Sequence, residues 1–172
     1  MRKSSGYGFI QNLGGQKMAI ELTKEIKELF EDPQSIKVLA TTGRNGNLNV
    51  VFKQSLRINE QGYIEYKELI ETSQTNKNMV YSIWFHKPVA VNIRNGNKSY
   101  QIKGYPYRSL IAGREFEAAY REVQEKHGKI DLSAVWRIEP VEIKEETFEK
   151  RRVEEEKAHP ILKHLDRLVV QN

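Results

Sequence analysis

The stretch "IKVLATTGRNGNLNVVFKQSLRINEQGYIEY", Ile36–Tyr66, decides the fold. Its β-rich runs break at Asn45-Gly46 and Gln61-Gly62, tight turns in which glycine supplies the positive φ that other residues resist. β-rich runs separated by such turns predict three antiparallel strands in a meander. Upstream, "AIELTKEIKELFE" (Ala19–Glu31) repeats Ile20, Leu22, Ile26, Leu29 and Phe30 at helical spacing and closes at Asp32-Pro33. Downstream, Met79, Val80, Ile83 and Trp84 set one face of a helix from Thr75 to Phe85, ending before Lys87-Pro88. A strand from Val89, a turn at Asn95-Gly96 and the returning "KSYQIKGYPYRSL" form a second hairpin. Phe116, Ala119, Tyr120 and Val123 then mark a helix from about Arg114 to His127, stopped by Gly128. The segment "SAVWRIEPVEIKEETF" is the last strand. About six strands joined mainly by hairpins predict a small antiparallel barrel that closes its own edges.

The 172 residues suit one domain with decorations. Residues 1–18 read as a flexible basic, glycine-rich extension with Met18 a candidate start, residues 19–150 as the barrel, and residues 151–172 as a helical tail. In that tail Ile161, Leu162, Leu165, Leu168 and Val169 share one side after Pro160, so a helix from Ile161 to Val170 should pack on the barrel or on a partner. No apolar run approaches the roughly 20 residues of a membrane span. The chain has no cysteine, which excludes disulfides, zinc-thiolate sites, iron–sulfur clusters and thiol nucleophiles, and points to a reducing cytoplasm. The net charge of +5 comes from 28 basic and 23 acidic side chains mixed along the chain, a slight pull on anions rather than a nucleic-acid stripe. There is no G-x-S-x-G elbow, P-loop or H-E-x-x-H, and the four histidines have no metal-ligand spacing. No metal is expected.

The segment "ETSQTNKNM" (Glu71–Met79) concentrates hydroxyls, amides and one lysine where a helix should begin. With the helix starting near Asn76, Thr75 takes the N-cap position. Lys77 in the first turn is unfavourable beside the positive end of the helix dipole unless an anion is present to receive it. Phosphate binding and simple capping both fit these residues.

Taken in order, Ile36–Tyr66, then "TSQTNKNM", "VAVNI" and "SYQIKGYPY", the chain resembles the FMN-binding split-barrel family related to pyridoxamine 5'-phosphate oxidase, over about Leu22 to Phe148. The resemblance implies a mainly β fold, a six-stranded antiparallel split barrel with inserted and terminal helices. It also implies a homodimer with flavin at the interface, FMN as cofactor with FAD and haem as weaker alternatives, and a small-molecule substrate. By the same resemblance Ser73, Gln74, Thr75, Lys77 and Asn78 hold the phosphate end, and Lys53, Gln54, Ser55, Leu56 and Arg57 line the flavin. Trp136 and Arg137 become candidates to approach it from the partner. The barrel's end reads "AVWRIEPVEI" without the family's Arg-x-His motif, which argues for a flavin-dependent oxidoreductase or reductase other than a true pyridoxamine phosphate oxidase. No catalytic residue is assigned. The alternatives are a flavin or haem carrier without turnover, and a barrel that stacks single-stranded nucleic acid on Tyr63, Tyr66, Tyr100, Tyr105 and Tyr107, against which the small basic excess argues.

Overall fold

The computed structural model describes residues 20–162 and 164–168; the N-terminal extension and the end of the tail, including Val169 and Val170, lie outside the described residues. The elements run α1 (Lys24–Glu31), β1 (Ile36–Thr42), β2 (Leu48–Phe52), β3 (Arg57–Ile58), β4 (Ile64–Glu68), α2 (Gln74–Phe85), β5 (Val89–Asn95), β6 (Lys98–Leu110), α3 (Arg114–His127), β7 (Ala134–Glu145) and α4 (Phe148–Ala158), with a 3-10 turn at Leu165–Arg167. All strands join one antiparallel seven-stranded sheet in the order β2-β1-β5-β6-β7-β4-β3. The seventh strand, beyond the six expected, is the two-residue β3.

The expected meander is corrected by this order. β1–β2 and β3–β4 are hairpins, but β2 and β3 occupy opposite edges of the sheet. Laid flat, those edges would stand about 29 Å apart at the usual strand spacing. Residues 53–56, which connect them, reach about 17 Å at full extension. The sheet must therefore roll, and the connector is the corner that closes it. The Lys53 N–H donates to Lys37 O on β1 at 3.0 Å, while the Ser55 hydroxyl donates to Lys67 O at 3.3 Å and accepts from Lys67 N at 3.2 Å on β4. The buried Lys37 ammonium ties the same corner to α1, donating to Leu56 O at 3.1 Å and to Phe30 O. Loss of water around it lowers its pKa from the ordinary lysine value.

Inside the roll, Ile26 and Phe30 of α1, Met79 of α2, Leu39, Tyr66, Ile102 and Trp136 form the main core. Outside it, α3 lays Ala119 and Val123 on Leu110 and Val135, a second cluster completed by Leu132. α3 matches its expected bounds, with glutamates in its first turn and Gly128 as its C-cap. α2 buries Thr75, Asn78, Met79 and Ser82; of the apolar face anticipated, Met79 is buried and Ile83 packs on the core, whereas Val80 is 42% exposed and Trp84 78%. The helix of the tail also falls elsewhere, before Pro160 rather than after it, and Ile161, Leu162, Leu165 and Leu168 are exposed. Among the described residues no helix is long and apolar enough to cross a membrane.

Candidate functional site

α2 begins two residues earlier than its sequence suggests. Ser73 is the N-cap, its hydroxyl accepting from Asn76 N at 3.0 Å, so Thr75 is not the cap but the first buried residue of the helix. Glu71 O accepts from the Asn76 amide at 2.9 Å, and Asn76 Oδ1 accepts from the Trp136 indole at 2.8 Å. The Ser73→Ala variant is expected to lose about 1 kcal/mol of stability in urea titrations, as for a typical lost cap.

The polar cluster fastens this helix to the β1–β2 hairpin. Asn49 Nδ2 donates to Thr75 Oγ1 at 3.0 Å and more weakly to Thr41 Oγ1, Asn78 Nδ2 donates to Thr41 Oγ1 at 3.0 Å, and Gln74 Nε2 donates to Asn78 Oδ1 at 2.7 Å. Thr75 and Asn78 are each 2% exposed, so their polar atoms serve the fold. Gly43, at the hairpin's start, lies close enough to Asn78 Oδ1 that a Cβ would approach it to 3.1 Å.

Between the hairpin turn and the helix start lies a cleft of about 350 Å³ lined by Gly43, Arg44, Asn45, Asn47, Leu48, Asn49 and Gln74. Lys77 in the first turn of α2 and Arg44 at the cleft are both exposed, and neither forms an ion pair among the described residues. The first turn carries no acidic residue. Two cations near the positive end of a twelve-residue helix whose first turn holds no acidic residue make an anion-favouring environment. The donor set fits a phosphate. Arg44 and Asn49 escaped the sequence reading because their nearness to α2 is tertiary; the polar Asn49 within the apolar run "LNVVF" was the available signal.

The second set of candidates is committed within the protein. Lys53 Nζ pairs with Glu68 Oε2 at 2.8 Å and lies 5.1 Å from the Tyr66 ring centroid. Gln54 Nε2 donates to Pro33 O at 3.1 Å and Ser35 O at 3.2 Å. Ser55 stitches Lys67, Leu56 is buried, and Arg57 pairs with Glu65 at 2.8 Å and Glu122 at 3.2 Å. What this corner offers a ligand is shape and backbone more than side-chain charge. Trp136 is in the core, and Arg137 is held by Glu65 at 2.9 Å and Glu115 at 2.8 Å, so both are used inside this chain.

The aromatic platform for nucleic acid does not form. Tyr66 and Tyr100 are buried, Tyr63 and Tyr107 pack at 4.6 Å between ring centroids, and Tyr105 stacks on His86 at 4.1 Å. Among the described residues no group of three or more His, Asp or Glu side chains is arranged to hold a metal ion.

No protein-family model matches the chain, and no curated protein does. Solved structures do. HupZ from Group A Streptococcus superposes with a TM-score of 0.62 at 22% identity, over 74% of this chain and 95% of HupZ. A pyridoxamine 5'-phosphate oxidase-type protein of Lactobacillus delbrueckii superposes at 0.56 with 17% identity, over 72% and 93% of the two chains. An FMN-binding protein from Syntrophomonas wolfei follows at 0.54 with 14% identity, over 71% and 84%. HutZ, the heme storage protein of Vibrio cholerae, shares the arrangement as well. These likenesses and the rolled sheet agree: the chain has the split-barrel fold of the pyridoxamine 5'-phosphate oxidase-like proteins.

Proposed function

We propose that the chain is a cytoplasmic, homodimeric FMN-binding flavoprotein that carries out oxidation or reduction of a small molecule, distinct from a true pyridoxamine phosphate oxidase. The observation that carries this reading is the acid-free first turn of α2, which holds Lys77, next to the cleft lined by Arg44 and Gln74, with neither cation in an ion pair among the described residues. Lys77, Arg44, Gln74 and the first amides of α2 hold the phosphate. Thr75, Asn78 and Asn49 fix the helix so that those amides stay aimed. The corner 53–56 borders the flavin ring through backbone and the apolar part of its side chains. Bound FMN would supply the hydride- and electron-accepting chemistry; the protein supplies position and polarity. The fold shared with an FMN-binding protein supports the choice of cofactor.

The test is an absorbance spectrum of the purified full chain after FMN is added and the excess removed, followed by titration with FMN and with riboflavin, which lacks the phosphate. Thr75 is too deeply packed to probe contact, so Lys77→Ala and Arg44→Ala are the informative variants. Each is expected to weaken FMN binding about tenfold, the value of one charge-assisted bond, and to leave riboflavin unchanged. A colourless wild type, or equal losses for both ligands, would sink the phosphate assignment. The second reading, a haem carrier, rests on the likeness to HutZ and predicts a Soret band on haem addition in place of retained flavin bands.

A further inference from the structure

We propose that residues 148–168 form an exchanged arm: α4 and the segment after it lie on a second copy of the chain, against the outer face of its β1–β2 hairpin. The proposal rests on the homodimer reading and adds to it how the two copies hold each other.

Three observations carry it. First, α4 has eleven residues and none is buried, whereas an isolated helix of that length is marginal in water and normally draws its stability from a packed face. Its start is fixed to the barrel: Thr147 Oγ1 accepts from Ser99 N at 3.3 Å, and Lys150 pairs with Glu145 at 2.6 Å. The helix therefore leaves the sheet in a set direction with none of its own residues buried. Second, the arm carries exposed apolar residues at intervals, Phe148 (70%), Val153 (40%), Ile161 (74%), Leu162 (76%), Leu165 (59%) and Leu168 (67%). Third, the outward residues of the hairpin, Ile36 (52%), Leu48 (79%), Val50 (63%) and Phe52 (78%), are a contiguous apolar face that the chain's own arm leaves uncovered. Register joins them: Val38 is opposite Phe52, Ala40 opposite Val50 and Thr42 opposite Leu48 on the neighbouring strand.

The areas favour a second copy as the occupant. The hairpin face exposes on the order of 500 Å² of apolar surface, at the upper end of what one patch on a monomer shows. The arm exposes roughly 700 Å² more, and the sum exceeds the roughly 800 Å² per partner that a standard stable interface buries. Reciprocal exchange makes the contact isologous, so two copies satisfy both faces and leave no open end for further assembly.

The absence of native cysteine makes the test clean. Val50→Cys and Leu165→Cys chains are co-expressed with different tags, purified together and oxidised. Each chain then carries one thiol, so a disulfide between positions 50 and 165 must join two subunits. A 50–165 linked pair is the expected main product, identified by peptide mass mapping, alongside a dimeric sedimentation mass for the unmodified chain. Leu165→Glu and Phe52→Glu, both at exposed positions, should each raise the dimer dissociation constant at least tenfold. If the Val50→Cys/Leu165→Cys double variant instead closes its disulfide within one chain, the arm belongs to its own barrel and the proposal fails. A dimer that gives no 50–165 product overturns the arm but leaves the homodimer standing; a monomeric wild type removes both.

Discussion

The Gly104→Ala variant will lose about 3 kcal/mol of folding stability, at the upper end of the usual cost of overpacking, and its Tm will fall by roughly 6–12 °C. Gly104 lies in β6 where the ladder shifts register: it faces Val89 on one side and Pro140 on the other, with a bulge between Lys103 and Gly104. A Cβ there would stand 2.5 Å from Glu139 O and 2.6 Å from Ile138 Cγ2. The carbonyl belongs to β7, directly after Ile138, which is paired to β4 on one side and to β6 on the other, so it cannot retreat without disturbing that ladder. The bulge is one of two register shifts along β6, features that bend a strand, and glycine is what lets β7 come this close. Gly46 is the control, because its φ of 78° costs strain in the turn but nothing lies within 4 Å of an added Cβ. Gly46→Ala should lose about 1 kcal/mol, the left-handed penalty of one residue. Urea titrations of both variants check the ranking; a Gly104→Ala protein as stable as Gly46→Ala would mean that β7 yields easily and the bend is not fixed there.

The same glycine shows what the sequence could and could not disclose. "QIKGYPY" reads as a strand from its alternation, and the structure agrees, with Tyr100 and Ile102 buried and Gln101 and Lys103 on the other face. The local signals, alternation, Asn-Gly turns and the Gly128 stop, are carried by neighbours in the chain and were legible for that reason. Which edges meet is a different kind of fact. Nothing in "VFKQSLRI" says that Phe52 and Arg57 end on opposite edges of the sheet; the reach of residues 53–56 against the width of the sheet does, and only once the strand order is known. The site divides the same way. The helix start was visible as a run of capping and amide residues, and its partners Thr41, Arg44 and Asn49 were not, because the hairpin that brings them there is distant in sequence. Ser73 and Thr75 are both capping residue types, serine the better of the two, and in the structure Ser73 caps the helix while Thr75 is bonded to Asn49. The tail differs for a related reason: apolar spacing after Pro160 favours a helix only where a surface receives it, and among the described residues Ile161, Leu162, Leu165 and Leu168 stay exposed.

The Glu65→Gln variant will lose about 3 kcal/mol at neutral pH, the lower end of what breaking a buried ion pair costs, and most of that loss will vanish in acid. Glu65 on β4 is 4% exposed and receives Arg57 from β3 and Arg137 from β7, at 2.8 and 2.9 Å. Arg137 continues to Glu115 and Arg57 to Glu122, both on α3, and Glu122 also pairs with Lys67 of β4. The network therefore clamps α3 over the outer face of the barrel beside the Val123 cluster. Burial alone would raise the Glu65 carboxyl, but the hydrogen bonds and charges of the two arginines outweigh it and hold its pKa below the ordinary value. Hydrogen bonding from Arg137 lowers Glu115 as well, and that from Lys67 lowers Glu122. A carboxylate lowered in the folded state binds fewer protons there than in the unfolded state, so stability rises with pH through this window. Its contribution is complete above the ordinary carboxylate value of 4.5 and disappears as pH falls through the lower folded value. The stability gap between wild type and Glu65→Gln, measured by urea titration, should be widest at pH 7, still nearly full at pH 5, and narrowing below pH 4. A gap that stays constant into acid would mean that the loss comes from altered packing and not from charge. The Glu65→Leu/Arg137→Met pair separates the remaining possibility: with both buried charges gone, the volume filled, and Arg57 half-exposed and still paired to Glu122, stability should return to within about 1 kcal/mol of wild type, since the cost of breaking such a pair is mostly the cost of stranding a buried partner.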